Sequence, residues 1–190
     1  MKKKSTLIIV AVVALLAVIG AVILIYHDNI STAKAPMDSA FIDIKQKISH
    51  RAELMRDFLD TAADKTELEP SLSSSAMNAF KAAKNVQTVA DAEAVTSALN
   101  DVESALKLVI HNVAPGLATT DDEYLSLIDT LRDLSRATGT SRKTYNTAAR
   151  AYNERIASFP ESAFAKLFGF GKADYFEVEE DNIEAPVVDF

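Results

Sequence analysis

Residues 121–159 read DDEYLSLIDTLRDLSRATGTSRKTYNTAARAYNERIASF, and the spacing within this stretch decides the fold. Tyr124, Leu127, Leu131, Leu134, Thr138, Ser141, Tyr145, Ala148, Tyr152, Ile156 and Phe159 recur every three or four residues, the spacing of one face of an α-helix. Thr120 and Glu123 make a capping box ahead of it. Thr138-Gly139-Thr140-Ser141 weakens the middle, so a kink or local fraying is expected at Gly139. Pro160 ends the helix.

Two more seams lie upstream. Met37, Phe41, Ile44, Ile48, Ala52, Met55, Leu59 and Ala62 share one face, with Lys45, Lys47, Arg51, Glu53 and Asp57 mostly off it. Glu69-Pro70 and Ser71–Ser75 break that pattern, and a short helix through Met77, Phe80 and Ala83 follows. Val95, Leu99, Val102, Leu106, Val109 and Val113 form the next seam, which stops at Pro115-Gly116. A single seam cannot bury itself, so three long seams joined by turns predict an all-α, antiparallel helical bundle. The bundle is expected over residues 37–170, and the remainder, 171–190, reads as an acidic tail.

Leu7–Tyr26, LIIVAVVALLAVIGAVILIY, carries no charge over twenty residues. A helix of that length spans roughly 30 Å, the thickness of a bilayer's hydrocarbon core. This predicts one transmembrane helix, with a short basic flank at 1–6 and a linker at 27–36. A cleaved secretory leader fits less well. Its apolar region would be too long, and the A-x-A form Ala33-Lys34-Ala35 is followed by Pro36. Lys2, Lys3 and Lys4 precede the span, which puts the N-terminus in the cytoplasm and the domain outside it. Ala14, Ala17, Gly20 and Ala21 read as ordinary lipid-facing small residues rather than as a helix-pairing face.

The net charge is −7. Without the three lysines of the flank it is about −10, which argues against nucleic-acid binding and against a domain lying flat on anionic lipid. With no Cys, disulfides, thiolate metal sites and Cys nucleophiles are excluded. His27, His50 and His111 have no second His or Glu at metal-ligand spacing. Gly169-Phe170-Gly171-Lys172 lacks the full phosphate-loop pattern and reads as a helix exit. Glu177, Glu179, Glu180, Asp181 and Glu184 have no turning Gly among them and read as a solvated tail, not a Ca²⁺ loop. No catalytic, cofactor or metal residues are expected.

The most distinctive patch is Tyr145-Asn146 and, seven residues on, Tyr152-Asn153. The plain reading makes the tyrosines core residues and the asparagines bridges to a neighbouring helix. The functional reading makes the patch a polar-aromatic surface for a partner.

Here the chain resembles the LemA family of bacterial membrane proteins. The resemblance is carried by Arg142, Tyr145, Asn146, Tyr152, Asn153, Ile156, Phe159 and Pro160, as R-x-x-Y-N, a second Y-N, and I-x-x-F-P. It continues through Ala165, Gly169, Phe170, Tyr175, Phe176 and Glu177 to the closing Val188-Asp189-Phe190, and upstream through Arg51-Ala52-Glu53-Leu54. The chain departs from the family pattern at Arg56-Asp57, where a Pro-Asn pair is usual, and at Ser135–Ser141, which lacks the usual E-N-x-I. The resemblance implies an elongated bundle and little about activity. The expected function is a non-enzymatic, single-pass scaffold or interaction protein of the bacterial cytoplasmic membrane. Its expected partners are membrane lipid, through the N-terminal helix, and an unidentified protein or further copies of itself. An accessory or regulatory subunit of an envelope enzyme or transporter is the alternative, and a hydrolase the weakest reading.

Overall fold

The computed structural model describes residues 2–63, 70–89, 91–117 and 122–176. The elements are α1 (Lys2–Ala63), α2 (Pro70–Asn85), a 3-10 turn (Val86–Thr88), α3 (Ala92–Leu117), α4 (Asp122–Ala157) and α5 (Glu161–Phe168). No strand occurs among the described residues, and the all-α expectation holds.

The first apolar run and the first seam are one helix. Residues 27–36, read as a linker, are helical, and Pro36 lies inside α1. An internal proline costs about 3 kcal/mol through its missing N–H and its ring. Burial offsets this on either side of it: Ile30 and Met37 before and after, then Ala40 and Ile44, all have less than a tenth of their surface exposed. A break in the helix would forfeit that burial.

The chain divides into two compact units, and both α1 and α4 contribute to each. The larger unit joins Asp38–Asn146 with Asp174–Phe190. Its described part is an up-down-up-down bundle. Ser49 meets the Ala83 carbonyl and Arg56 meets Phe80, so α1 and α2 run antiparallel. The rings of Phe41 and Tyr145 meet, and Asp43 meets Ser141, so α1 and α4 are antiparallel too. The helix expected to be short is therefore a full bundle member. Pro70 opens α2, where its missing N–H costs nothing, and Ser71–Ser75 continue the helix instead of breaking it. Its buried face is Leu72, Ala76, Ala79 and Ala83, one step round from the expected one, while Met77 is exposed.

The core follows the seams closely in α1 and α3. Ile44, Ile48, Ala52, Met55 and Ala62 are buried, as are Val95, Leu99, Val102, Leu106 and Val109. Each Ile, Leu, Met and Val among them contributes roughly 1.5–3 kcal/mol by leaving water. Phe58 takes the buried place expected of Leu59. Asp91 caps α3, its carboxylate accepting from the N–H groups of Glu93 and Ala94 at 3.2 and 3.3 Å. Lys45 donates to the carbonyls of Gln87 and Val89, both at 3.1 Å, and Gln87 donates back to Ser49 at 2.7 Å. These bonds fasten the α2–α3 connection to α1. Helix α3 ends at Leu117, two residues beyond Pro115 and one beyond Gly116. The capping box of Thr120 and Glu123, and the side chains of Val113 and Tyr124, lie outside the described residues.

Helix α4 is unbroken through Gly139, so the expected fraying does not occur. Thr138 is buried and its hydroxyl donates to the Leu134 carbonyl at 2.7 Å, so it stands in place of an apolar seam residue. The buried Ser141 hydroxyl has two acceptors within reach, the Ala137 carbonyl at 3.0 Å and the Asp43 carboxylate.

The smaller unit joins Met1–Met37 with Thr147–Ala173. Ile30, Met37, Ala149, Tyr152, Ile156 and Ala165 are its buried residues. From Leu7 to Ile25 the large apolar side chains of α1 are exposed almost without exception, and this stretch is long and apolar enough to cross a membrane.

Candidate functional site

The second half of α4 and the chain after α5 carry the signature residues. Helix α5 stops at Gly169, whose φ of 74° lies in the left-handed region that L-residues with a side chain avoid. The N–H of Gly169 and that of Phe170 both turn back to the Ala165 carbonyl, the latter at 2.9 Å. This cap ends the helix, and residues 170–176 follow as irregular backbone, neither helix nor strand.

In the smaller unit, Asn153 grips Ala173 at two points. Its Nδ2 donates to the Ala173 carbonyl and its Oδ1 accepts from the Ala173 N–H, both at 2.8 Å. Beside it the Tyr152 hydroxyl donates to the Gly171 carbonyl at 3.0 Å. In the larger unit, Asn146 treats Phe176 the same way, at 2.8 and 2.9 Å. The Phe176 ring is 2% exposed and meets Tyr145 edge-on at 4.9 Å; both rings also face Phe41, at 6.0 and 5.7 Å.

A carboxamide presents an acceptor and a donor, and so can meet the N–H and the C=O of one residue together. The asparagines bind backbone and not a neighbouring helix, which corrects the plain reading of the sequence.

Electrostatics here are mild. Burial pushes the Tyr145 phenol above its ordinary value of 10.0, and the carboxylates of Asp174 and Asp38 push it further. One turn along α4 from Tyr145, hydrogen bonds from Lys47 and then Ser141 hold Asp43 below its ordinary 3.8, against a smaller opposing effect of burial. Arg51, expected on the solvent side, is 1% exposed and its Nη1 donates to Glu103 at 2.9 Å. Its family-like position is thus an ion pair set into the bundle. The sequence did hold a signal: Arg51 stands seven residues from both Ile44 and Phe58, which are buried.

Of the other signature residues, Arg142 and Ile156 are buried, each 8% exposed. Phe159, placed on the seam by spacing, is 88% exposed: α4 ends at Ala157, and the chain turns through Ser158 to a cis Phe159–Pro160 bond. Phe170 packs against His27 at 5.6 Å, and Tyr175 is exposed. Glu177 lies outside the described residues. His50 and His111 are exposed. Among the described residues no group of three His, Asp or Glu could hold a metal ion. A groove of about 160 Å³ opens between α1 and α2, floored by Leu59, Ala63, Met77 and Phe80 and rimmed by Arg56 and Asp60. What the Tyr–Asn stripe can do chemically is hold main chain and pack rings; it presents no nucleophile paired with a base among the described residues.

The family model of LemA matches residues 40–190. That range takes in the bundle, the signature stripe and the tail, and leaves out the apolar run. No curated protein and no solved structure matches the chain.

Proposed function

The chain belongs to the LemA family, and on that premise we propose that it is a membrane-anchored helical scaffold of the bacterial envelope that works by binding other proteins and not by catalysis. One observation carries this reading. A single helix, α1, carries a run of twenty uncharged residues, exposed except at Gly20, Ile23 and Tyr26, and continues as a buried strut of a bundle. An apolar run of that length left in water would be unfavourable at about 25 cal/mol per Å², and a bilayer removes the exposure. The basic flank of Lys2, Lys3 and Lys4 favours a cytoplasmic N-terminus and an extracytoplasmic bundle.

Two experiments bear on it. Alkaline carbonate extraction of membranes should leave the chain in the pellet; release into the supernatant would defeat the anchor. Crosslinking in intact membranes, read by mass spectrometry, should then return proteins of varied type. A single enzyme or transporter at constant stoichiometry favours the accessory-subunit reading instead. Crosslinks confined to copies of this chain favour a self-assembled array.

A further inference from the structure

We propose that α5 and its flanks form a foot seated in the headgroup layer of the same bilayer, with Phe159 and Leu167 inserted among the lipids. This rests on the reading of Leu7–Tyr26 as a membrane span.

Every observation behind it lies within the smaller unit. The Phe164 ring stacks on Tyr26 with centroids 4.3 Å apart and planes 6° apart. The rings of Phe168 and Phe170 meet His27 at 5.0 and 5.6 Å. Tyr26 is the last residue of the uncharged run, so these contacts hold α5 at the end of the span. One turn further in, Ile23 is half-covered, while Leu24 and Ile25 are 70% and 58% exposed. Ile23, Tyr26 and Ile30 share one helical face, so the covering extends past Tyr26 into the apolar stretch.

A single spanning helix is surrounded by lipid on all sides that protein does not occupy. Whatever is fixed beside Tyr26 therefore shares its depth, the interface where amphipathic elements settle about 5–10 Å into the headgroup and acyl boundary. The foot has the composition for it. Phe159 is 88% and Leu167 66% exposed, and Ala163 lies one turn from Leu167 on the same exposed face. Four of the chain's nine Phe fall within residues 159–170. The charge also differs from the rest of this acidic protein. Residues 158–173 hold Lys166 and Lys172 against Glu161 alone, and Arg155 faces Glu161 at 3.9 Å. Both lysines are exposed and long enough to bring ammonium groups to lipid phosphates while their stems stay with apolar surface.

The chain has no Cys, so single cysteines can be introduced as Phe159→Cys, Leu167→Cys and Leu15→Cys and labelled with an environment-sensitive fluorophore. The full chain is reconstituted into vesicles of phosphatidylcholine and phosphatidylglycerol, with or without doxyl-labelled lipid. The labels at 159 and 167 should lose half or more of their emission to doxyl groups near the headgroup and be shielded from aqueous iodide. The label at 15 should respond to doxyl groups deep in the acyl chains. Iodide access at 159 and 167, with Leu15→Cys still quenched by deep doxyl lipid, overturns the foot and leaves the anchor standing. Shielding from iodide without quenching by lipid also overturns it, because protein is then the cover. A label at 15 that no lipid quenches defeats the anchor and the foot together.

Discussion

Asn146 holds Phe176 by both polar atoms of its main chain, donating to the carbonyl at 2.8 Å and accepting from the N–H at 2.9 Å. The phenylalanine ring meanwhile lies edge-on to Tyr145, the residue just before that asparagine. Backbone recognition and ring packing thus fall on adjacent residues of one helix.

Removing the carboxamide tests the first half. Two net hydrogen bonds are worth about 1–3 kcal/mol together. Asn146→Ala should destabilise the domain by that amount in denaturant unfolding, and the Phe176 amide should exchange with solvent at least about tenfold faster. Asn153→Ala should do the same to the Ala173 amide. An Asn146→Ala chain in which Phe176 exchanges as slowly as in the parent would show that the clasp contributes nothing.

Tyr145 tests the second half. Its ring is 5% exposed, so Tyr145→Ala should cost about 3–5 kcal/mol through lost burial and a cavity. Its phenol is held above 10.0 in the folded state. Stability tied to the neutral phenol is therefore complete below that value and is lost as pH rises through the higher folded one. Tyr145→Phe should flatten the alkaline fall in stability above about pH 10. The same replacement should remove a late-ionising phenol from the ultraviolet titration of the parent.

The Arg51–Glu103 pair should behave as a buried charge pair. Glu103→Ala strands a guanidinium whose side chain is 2% exposed and should cost about 3–5 kcal/mol. The double replacement Arg51→Met with Glu103→Leu should recover most of that loss. If the double variant is as unstable as Glu103→Ala alone, packing and not charge accounts for the effect.

Asp43 pairs with Lys47 one turn on in α1 and accepts from Ser141 of α4, so of the two it is the serine that links the helices. The folded pKa of Asp43 lies below 3.8, so its contribution is present above that value and fades as pH falls through the lower folded one. The carboxylate is 47% exposed, and solvent screening keeps this contribution small. Ser141→Ala should move the Asp43 carboxyl titration upward in a carbon-detected NMR experiment, with little change in stability near neutral pH. An unmoved titration would show that the serine hydroxyl does not act on the carboxylate.

The bundle was legible because its signal is repeated. Ile44, Ile48 and Met55, or Leu99, Val102 and Leu106, each restate the same helical face. The break at Pro70 was misread because proline stops a helix from within but starts one equally well. Residues 27–36 were misread as a linker because Pro36 and scattered polar residues look alike in a loop and in a long helix. The tyrosine half of the signature stripe was legible from its place on a seam. The target of the asparagines was not, because main-chain atoms leave no mark on a sequence. Phe159 was misplaced by extending a periodicity two residues past the helix end at Ala157.

The grip on Ala173 has a consequence for how this segment can vary. Asn153 touches only an N–H and a C=O, which nineteen of the twenty residue types supply alike. The grip itself survives any replacement at 173 that keeps an N–H there, so proline alone is excluded. Two lineages could share this fastening while their tails bear different charges, aromatic groups or appended tags, and so speak to different neighbours from the same peg.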